Sequence, residues 1–277
     1  MKKLKIITDS SSSFTREEAE KLNMEIVPLN FIFGSETYAD EDLTQKEFYE
    51  KLKNSEAFPK TSQPSPEQFV ELFKKAEELN ETVIAVFIGS GLSGTYRAAL
   101  AAKEAAGYDD VHIIDSGSTH GVIRLIITEA VNKYEKYEIG ELCNYLEEFK
   151  KRIKLFAVVD TLEYLKKGGR LSAFSAFVGS VFKIKPLITV DDKVVVLQKT
   201  RGIKNAIEAM LKEAEAFKPD PEYSVIFAYS ESEDNLNAFK EISSDFFSNC
   251  RSITMPICNV VGVHTGPKAA AVIYVSK

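Results

Sequence analysis

Residues 82–106 decide the fold: an apolar run, Thr82-Val-Ile-Ala-Val-Phe-Ile88, then Gly89-Ser-Gly-Leu-Ser-Gly94, then an alanine-rich stretch from Thr95 to Ala106. The short β-branched and aromatic run predicts a buried strand, and the alanines predict a helix. A glycine turn between the two aims backbone N–H groups at one point, where the helix dipole is positive. That arrangement suits an anion, either phosphate or carboxylate.

The same alternation recurs on both sides of this unit. Leu4–Thr8, Glu25–Phe33 and Val111–Ile114 pattern as strands. Arg16–Asn23, Gln45–Asn54, Pro66–Leu79, Gly121–Tyr134 and Ile139–Arg152 pattern as helices. Thr15 with Glu18, Thr44 with Glu47 and Ser65 with Gln68 form capping boxes, the last with Pro66 at the first helical position. Strand–helix alternation predicts an α/β fold, a parallel sheet with helices on both faces. After Arg152 the texture changes. Leu155–Val159 predicts a strand, a short helix ends at Lys166-Lys-Gly-Gly-Arg170, and Pro186–Val190 and Lys193–Gln198 predict a hairpin. Helices over Ile203–Phe217 and Asp234–Phe247 lie among strands at Val225–Tyr229, Ser252–Met255 and Ala270–Val275. Two α/β domains follow, residues 1–150 with a parallel sheet and 151–277 with a mixed one.

Composition excludes several classes. At 277 residues and 44% apolar the chain can bury a full core, and 27% charged residues argue against disorder. A net charge of −6 gives no basic face for counterion release, so nucleic acid is not an expected partner. No apolar window approaches the roughly 20 residues of a spanning helix, and the basic start lacks a secretory apolar stretch. Cys143, Cys250 and Cys258 lack C-x-x-C spacing, and His112, His120 and His264 lack metal-ligand spacing. The expectation is a cytoplasmic protein with no metal, no cofactor and no membrane insertion.

Hydroxyl-rich loops are the candidate sites. In Thr61-Ser-Gln-Pro-Ser-Pro66, Ser65 is explained as a helix cap, whereas Thr61 and Ser62 are turn residues or ligand contacts. Ser93 has two compatible roles, capping the next helix and donating its hydroxyl proton to an anion beside Gly94. Residues 89–94 also match the dinucleotide pattern, and Asp115 supplies the acid that pattern expects, which leaves a nucleotide- or NAD-dependent enzyme as the alternative. A serine hydrolase fits poorly, because Gly94 falls one place early for G-x-S-x-G. His264 lies between Gly262 and Gly266 in an expected loop, and Arg170 and Arg201 each adjoin glycine, where an arginine meets either solvent or an acidic group.

The ordered set Thr8-Asp-Ser-Ser-Ser12, Thr61-Ser-Gln-Pro-Ser65, Ser90-Gly-Leu-Ser-Gly-Thr95, Asp115-Ser116, Thr161-Leu-Glu-Tyr-Leu-Lys-Lys-Gly-Gly-Arg170 with Leu171-Ser172, Lys185-Pro186 and His264-Thr-Gly-Pro267 resembles the DegV family of bacterial fatty-acid-binding proteins. The likeness spans about residues 3–276. It implies a long-chain fatty acid held between two domains, its carboxylate bound by hydroxyls at Thr61 and Ser93 with Ser62, Gly94 and His264 beside them. It also implies that Arg170 and Arg201 help present the acid to a fatty acid kinase, whose separate catalytic subunit makes acyl-phosphate for phospholipid synthesis. On that view the chain is a carrier without catalysis of its own. Phe174, Phe177 and Phe182 recur at helical spacing and are either core or the lining of an acyl tunnel. Lys268 departs from the family, which commonly has glycine after the H-x-G-P loop.

Overall fold

The computed structural model describes residues 2–171 and 184–277. The chain divides into two compact units, residues 1–30 with 62–151, and residues 31–61 with 152–277. Segment 31–61 therefore leaves the half of the sequence to which a cut near residue 150 assigns it.

In the first unit, β1 (Lys3–Asp9), α1 (Arg16–Lys21) and β2 (Met24–Val27) come first in the chain. The chain then leaves for the second unit in a three-stranded excursion made of β3 (Asn30–Phe33), β4 (Glu36–Ala39), α2 (Gln45–Asn54) and β5 (Lys60–Ser62). Then α3 (Pro66–Glu78), β6 (Glu81–Phe87), α4 (Thr95–Ala106), β7 (Val111–Asp115), α5 (Gly121–Lys133) and α6 (Ile139–Arg152) complete the first unit. The sheet order is β2-β1-β6-β7, parallel throughout. All 7 residues of β6 are buried, so both faces of that strand are covered, as expected of a parallel sheet. Phe69 and Phe73 of α3 and Ala98, Ala99 and Ala102 of α4 pack on Val83, Ala85 and Phe87.

Glu25–Phe33 is not one strand. Pro28 has no N–H to give a ladder, and the chain leaves the parallel sheet there to begin β3 in another. The break also separates two aromatic environments: Phe31 and Phe33 pack with Tyr38 and Phe48 instead of joining the parallel sheet.

The second unit holds β8 (Ile153–Val158), α7 (Glu163–Lys167), the hairpin β9 (Ile184–Asp191) and β10 (Lys193–Arg201), and α8 (Ile203–Ala214). It closes with β11 (Val225–Tyr229), α9 (Asp234–Ile242), β12 (Ser252–Pro256), α10 (Asn259–Thr265) and β13 (Ala270–Val275). The sheet is mixed, ordered β10-β9-β8-β13-β11-β12, with β11 and β12 parallel. Ile207 and Met210 of α8 and Leu236 and Phe239 of α9 cover its Phe156, Val158, Phe227 and Val272. The α9 helix stops at Ile242, short of the expected Phe247, where Ser243 Oγ turns back to the Phe239 carbonyl at 2.7 Å. Phe174, Phe177 and Phe182 lie outside the described residues.

At the carboxyl end of the parallel sheet, the buried Asp9 carboxylate accepts from Ile88 N–H at 2.8 Å and Ser11 N–H at 2.9 Å. It therefore ties the end of β1 to the end of β6. Replacing it leaves two buried backbone donors unpaired, so Asp9→Ala is expected to cost about 3 kcal/mol. Urea denaturation measures this, and a loss within about 0.5 kcal/mol would show that the tie is dispensable.

Candidate functional site

His264 sits in the last turn of α10, not in the loop expected from its glycines. The start of that helix is fixed by the excursion. Asp40 Oδ1 accepts from Val260 N–H at 2.7 Å, and Asn259 Nδ2 donates to the carbonyls of Asp40 and Leu43 at 3.0 and 2.7 Å. Gly262 lies so close to Tyr49 and Phe48 of α2 that a Cβ there would meet Tyr49 Oη at 2.6 Å. At the far end Gly266, with φ +72°, packs its backbone on the Tyr164 ring. These close approaches explain both glycines of Gly262-Val-His264-Thr-Gly266 without recourse to a loop.

So placed, His264 Nε2 lies 3.1 Å from Thr61 Oγ1 at the middle of β5. Its Nδ1 edge faces Gly168, where a Cβ would fall 2.1 Å from the nitrogen. Among the described residues Nδ1 has no hydrogen-bond partner and is sealed from solvent. Burial, reinforced by the positive charge of Arg170, lowers the His264 pKa to about 3. Neutral imidazole is therefore the working form at ordinary pH. Arg170 is half-buried and gives Nη1 to the Gly168 carbonyl at 2.7 Å, while its desolvation pulls its own pKa down.

Thus Thr61, His264 and Arg170 come together within the second unit. Arg201 does not join them by any described contact; it is exposed at the end of β10. Ser62 is exposed at the end of β5. Lys268 is exposed and holds φ +59°, the left-handed conformation that favours glycine.

Ser93, in the first unit, bonds Thr95 Oγ1 at 2.9 Å and accepts from Thr95 N–H at 3.3 Å, while Gly94 is the residue preceding α4. Its hydroxyl thus braces the start of the helix, whose next N–H groups, on Tyr96 and Arg97, have no intrahelical acceptor by geometry. The turn supplies fewer donors than its sequence suggests. The N–H groups of Gly89, Ser90, Leu92 and Ser93 go to Ser118 O, Asp115 Oδ1 and, twice, Gly89 O. Gly94 is pressed against Gln63, whose Oε1 would lie 1.7 Å from a Cβ.

The dinucleotide pattern has local explanations. A Cβ on Gly89 would meet the Gly117 and Ser118 backbone at 2.7 Å, so glycine is required by the neighbouring loop. Asp115, the acid that would hold a ribose, already accepts from Ser90 N–H at 3.1 Å and Gly117 N–H at 2.9 Å. The supporting roles of Asp40, Tyr164 and Gly168 were not visible from spacing. The paired glycines of Gly168-Gly169 were the one signal that something packs against that turn.

An α/β protein with one parallel and one mixed sheet and these loops has known relatives. A family model described as "Uncharacterised protein, DegV family" matches residues 3–277, and the chain belongs to the DegV family. Protein DegV of Bacillus subtilis (strain 168) is 31% identical over 279 residues, covering 98% of this chain and 99% of that protein. A structure described as fatty acid binding of a DegV family protein from Thermus thermophilus matches with a TM-score of 0.89 at 28% identity, covering 100% of both chains. A stearic-acid-binding protein from Eubacterium ventriosum matches with a TM-score of 0.87 at 27% identity, covering 99% of this chain and 98% of its own. Fatty acid binding is thus a property of solved members of the family.

A histidine whose folded pKa lies below its unfolded value binds fewer protons when folded. The stability it leaves intact above pH 6.5 is lost as pH falls through the window from about 6.5 to about 3. Denaturation at pH 7, 6, 5 and 4 should show a slope up to about 1.4 kcal/mol per pH unit steeper in the wild type than in His264→Gln. Equal slopes would mean that His264 is not held neutral.

Proposed function

We propose that this chain binds a long-chain fatty acid and receives its carboxylate at Thr61 and His264, with Ser93 contributing a second hydroxyl. The observation that carries the reading is the 3.1 Å pair of Thr61 Oγ1 and the neutral His264 Nε2, in a family whose solved members bind fatty acids. Neutral donors suit a carboxylate that must stay reactive. A bidentate guanidinium would hold both oxygens tightly, whereas a hydroxyl gives one directed bond and leaves the other lone pairs available. Affinity then comes from the tail, at about 0.8 kcal/mol per buried methylene.

The reactive end is the substrate of a separate, ATP-dependent fatty acid kinase, and the acyl-phosphate product feeds phospholipid synthesis. Arg170 and Arg201 belong to the kinase-facing part of this reading. Their surroundings differ: Arg170 is spent on its own turn, whereas Arg201 is exposed and can meet an acidic partner. The chain carries the acid and the kinase performs the phosphoryl transfer.

Organic extraction of the purified protein followed by mass spectrometry should recover fatty acid. Thr61→Ala and Ser93→Ala should each weaken retention about fivefold to tenfold, the loss of roughly one neutral hydrogen bond. Full retention in both variants would remove those residues from the site, and a nucleotide in place of lipid would overturn the reading. Separately, Arg201→Glu should lower the rate at which a fatty acid kinase phosphorylates the bound acid about tenfold or more while lipid binding stays unchanged. Lost lipid binding with normal phosphorylation of what remains bound would reverse that assignment.

A further inference from the structure

We propose that Arg170 is a positioning residue for the carboxylate site: latched to the Gly168 carbonyl, it holds the turn after α7 against the Nδ1 edge of His264 and fixes that ring with its proton on Nε2. The proposal rests on the fatty-acid reading only in making Thr61 the group that meets the ligand.

The argument is one of hydrogen-bond supply. Neutral imidazole carries one proton, and the nitrogen that bears it needs an acceptor. On the Nδ1 side the nearest chain is Gly168, close enough that not even a methyl group fits between. Every N–H of this turn is used within it: Gly168 to Tyr164 O at 2.8 Å, Gly169 to Lys166 O at 3.1 Å, and Arg170 and Leu171 to Leu165 O at 3.0 and 3.2 Å. The Gly168 carbonyl takes Arg170 Nη1 at 2.7 Å, which pins the turn, and His264 Nδ1 has no hydrogen-bond partner among the described residues. A proton on Nδ1 would thus be a buried donor without an acceptor among the described residues, in a ring that already feels the positive charge of Arg170. A bare lone pair there is favoured by the same charge.

The other nitrogen has what the proton needs. Nε2–H donates to Thr61 Oγ1, 3.1 Å away, and the Thr61 hydroxyl, having accepted, keeps its own hydrogen to donate onward. The direction of the relay is therefore set from Arg170, through Gly168, to a hydroxyl pointing its proton at an anion. Other groups around α10 do not compete for this role. Glu163 and Lys167 of α7 are exposed and paired with each other at 2.6 Å, Lys166 is exposed, Tyr164 packs its ring on Gly266, and Tyr49 of α2 packs on Gly262. Burial and the Arg170 charge are what lower the His264 pKa.

Long-range proton–nitrogen NMR on protein labelled with nitrogen-15 reads the tautomer of each ring. His264 is separated from His112 and His120 by the signals that vanish in His264→Gln. The wild type should show a protonated Nε2 and a bare Nδ1. In Arg170→Gln, Nδ1–H should become populated and fatty-acid affinity should fall about tenfold. Arg170→Lys, which keeps a charge and a donor, should restore Nε2–H and bring affinity back to within about threefold of wild type. A wild-type ring protonated on Nδ1 overturns the proposal without any variant, and so does an unchanged tautomer in folded Arg170→Gln. Should that variant not fold, the wild-type and Arg170→Lys spectra decide the matter. A tautomer that responds to Arg170 in protein binding no fatty acid in any form would uphold the positioning role and sink the ligand reading alone.

Discussion

The clamp of Asp40 and Asn259 on the start of α10 is the constraint on which the site depends. One short segment, residues 31–61, supplies the carboxylate that seizes the helix N-terminus, the aromatic pair Phe48 and Tyr49 on which Gly262 rests, and, at its end, Thr61 itself. Both partners of the Thr61–His264 bond are therefore positioned by the same piece of chain. A shift in that segment moves the hydroxyl and the helix under the imidazole together, which keeps a 3.1 Å contact across 203 residues of sequence.

Electrostatics at this bond are a contest that burial wins. A helix C-terminus stabilises a cation by about 0.3–1 kcal/mol, less than one pKa unit. His264 closes a helix and by that effect alone would gain charge more readily. Desolvation acts the other way and is the larger, and the Arg170 guanidinium adds to it. The result is a polar end made of dipoles, next to a cation that is already committed to a main-chain carbonyl. Dipoles of this kind give an anion directed hydrogen bonds without neutralising its charge.

Much of the fold was legible because its signals are local. The boxes at Thr15 and Thr44 place two helix starts, and β6 followed by the glycine turn and α4 emerges as the 82–106 pattern predicts. At Pro28 an apolar run on either side disguises a break as one long strand, and the change of sheet is a tertiary fact. The helix around His264 was hidden by Gly262, whose place in a helix is explained only by Tyr49 from a distant segment. The glycines at 89 and 94 match the dinucleotide pattern, but one makes room for the 117–118 backbone and the other lies against Gln63. Sequence spacing identifies a close approach; it does not say what approaches.

The placement of segment 31–61 also sets a timetable. Phe31, Phe48 and Tyr49 end fully buried, yet part of their cover comes from the last elements of the chain to be made. Asp40 waits for Val260, 220 residues later, which at typical rates of synthesis is roughly 10–45 s. Through that interval an aromatic surface and three short strands stand beside the ribosome without their lid. The first unit shares the delay in part, since its own chain is interrupted by the waiting segment. A contact made between residue 61 and residue 264 thus forms late, and the nascent chain is most exposed to aggregation over the segment that waits for it.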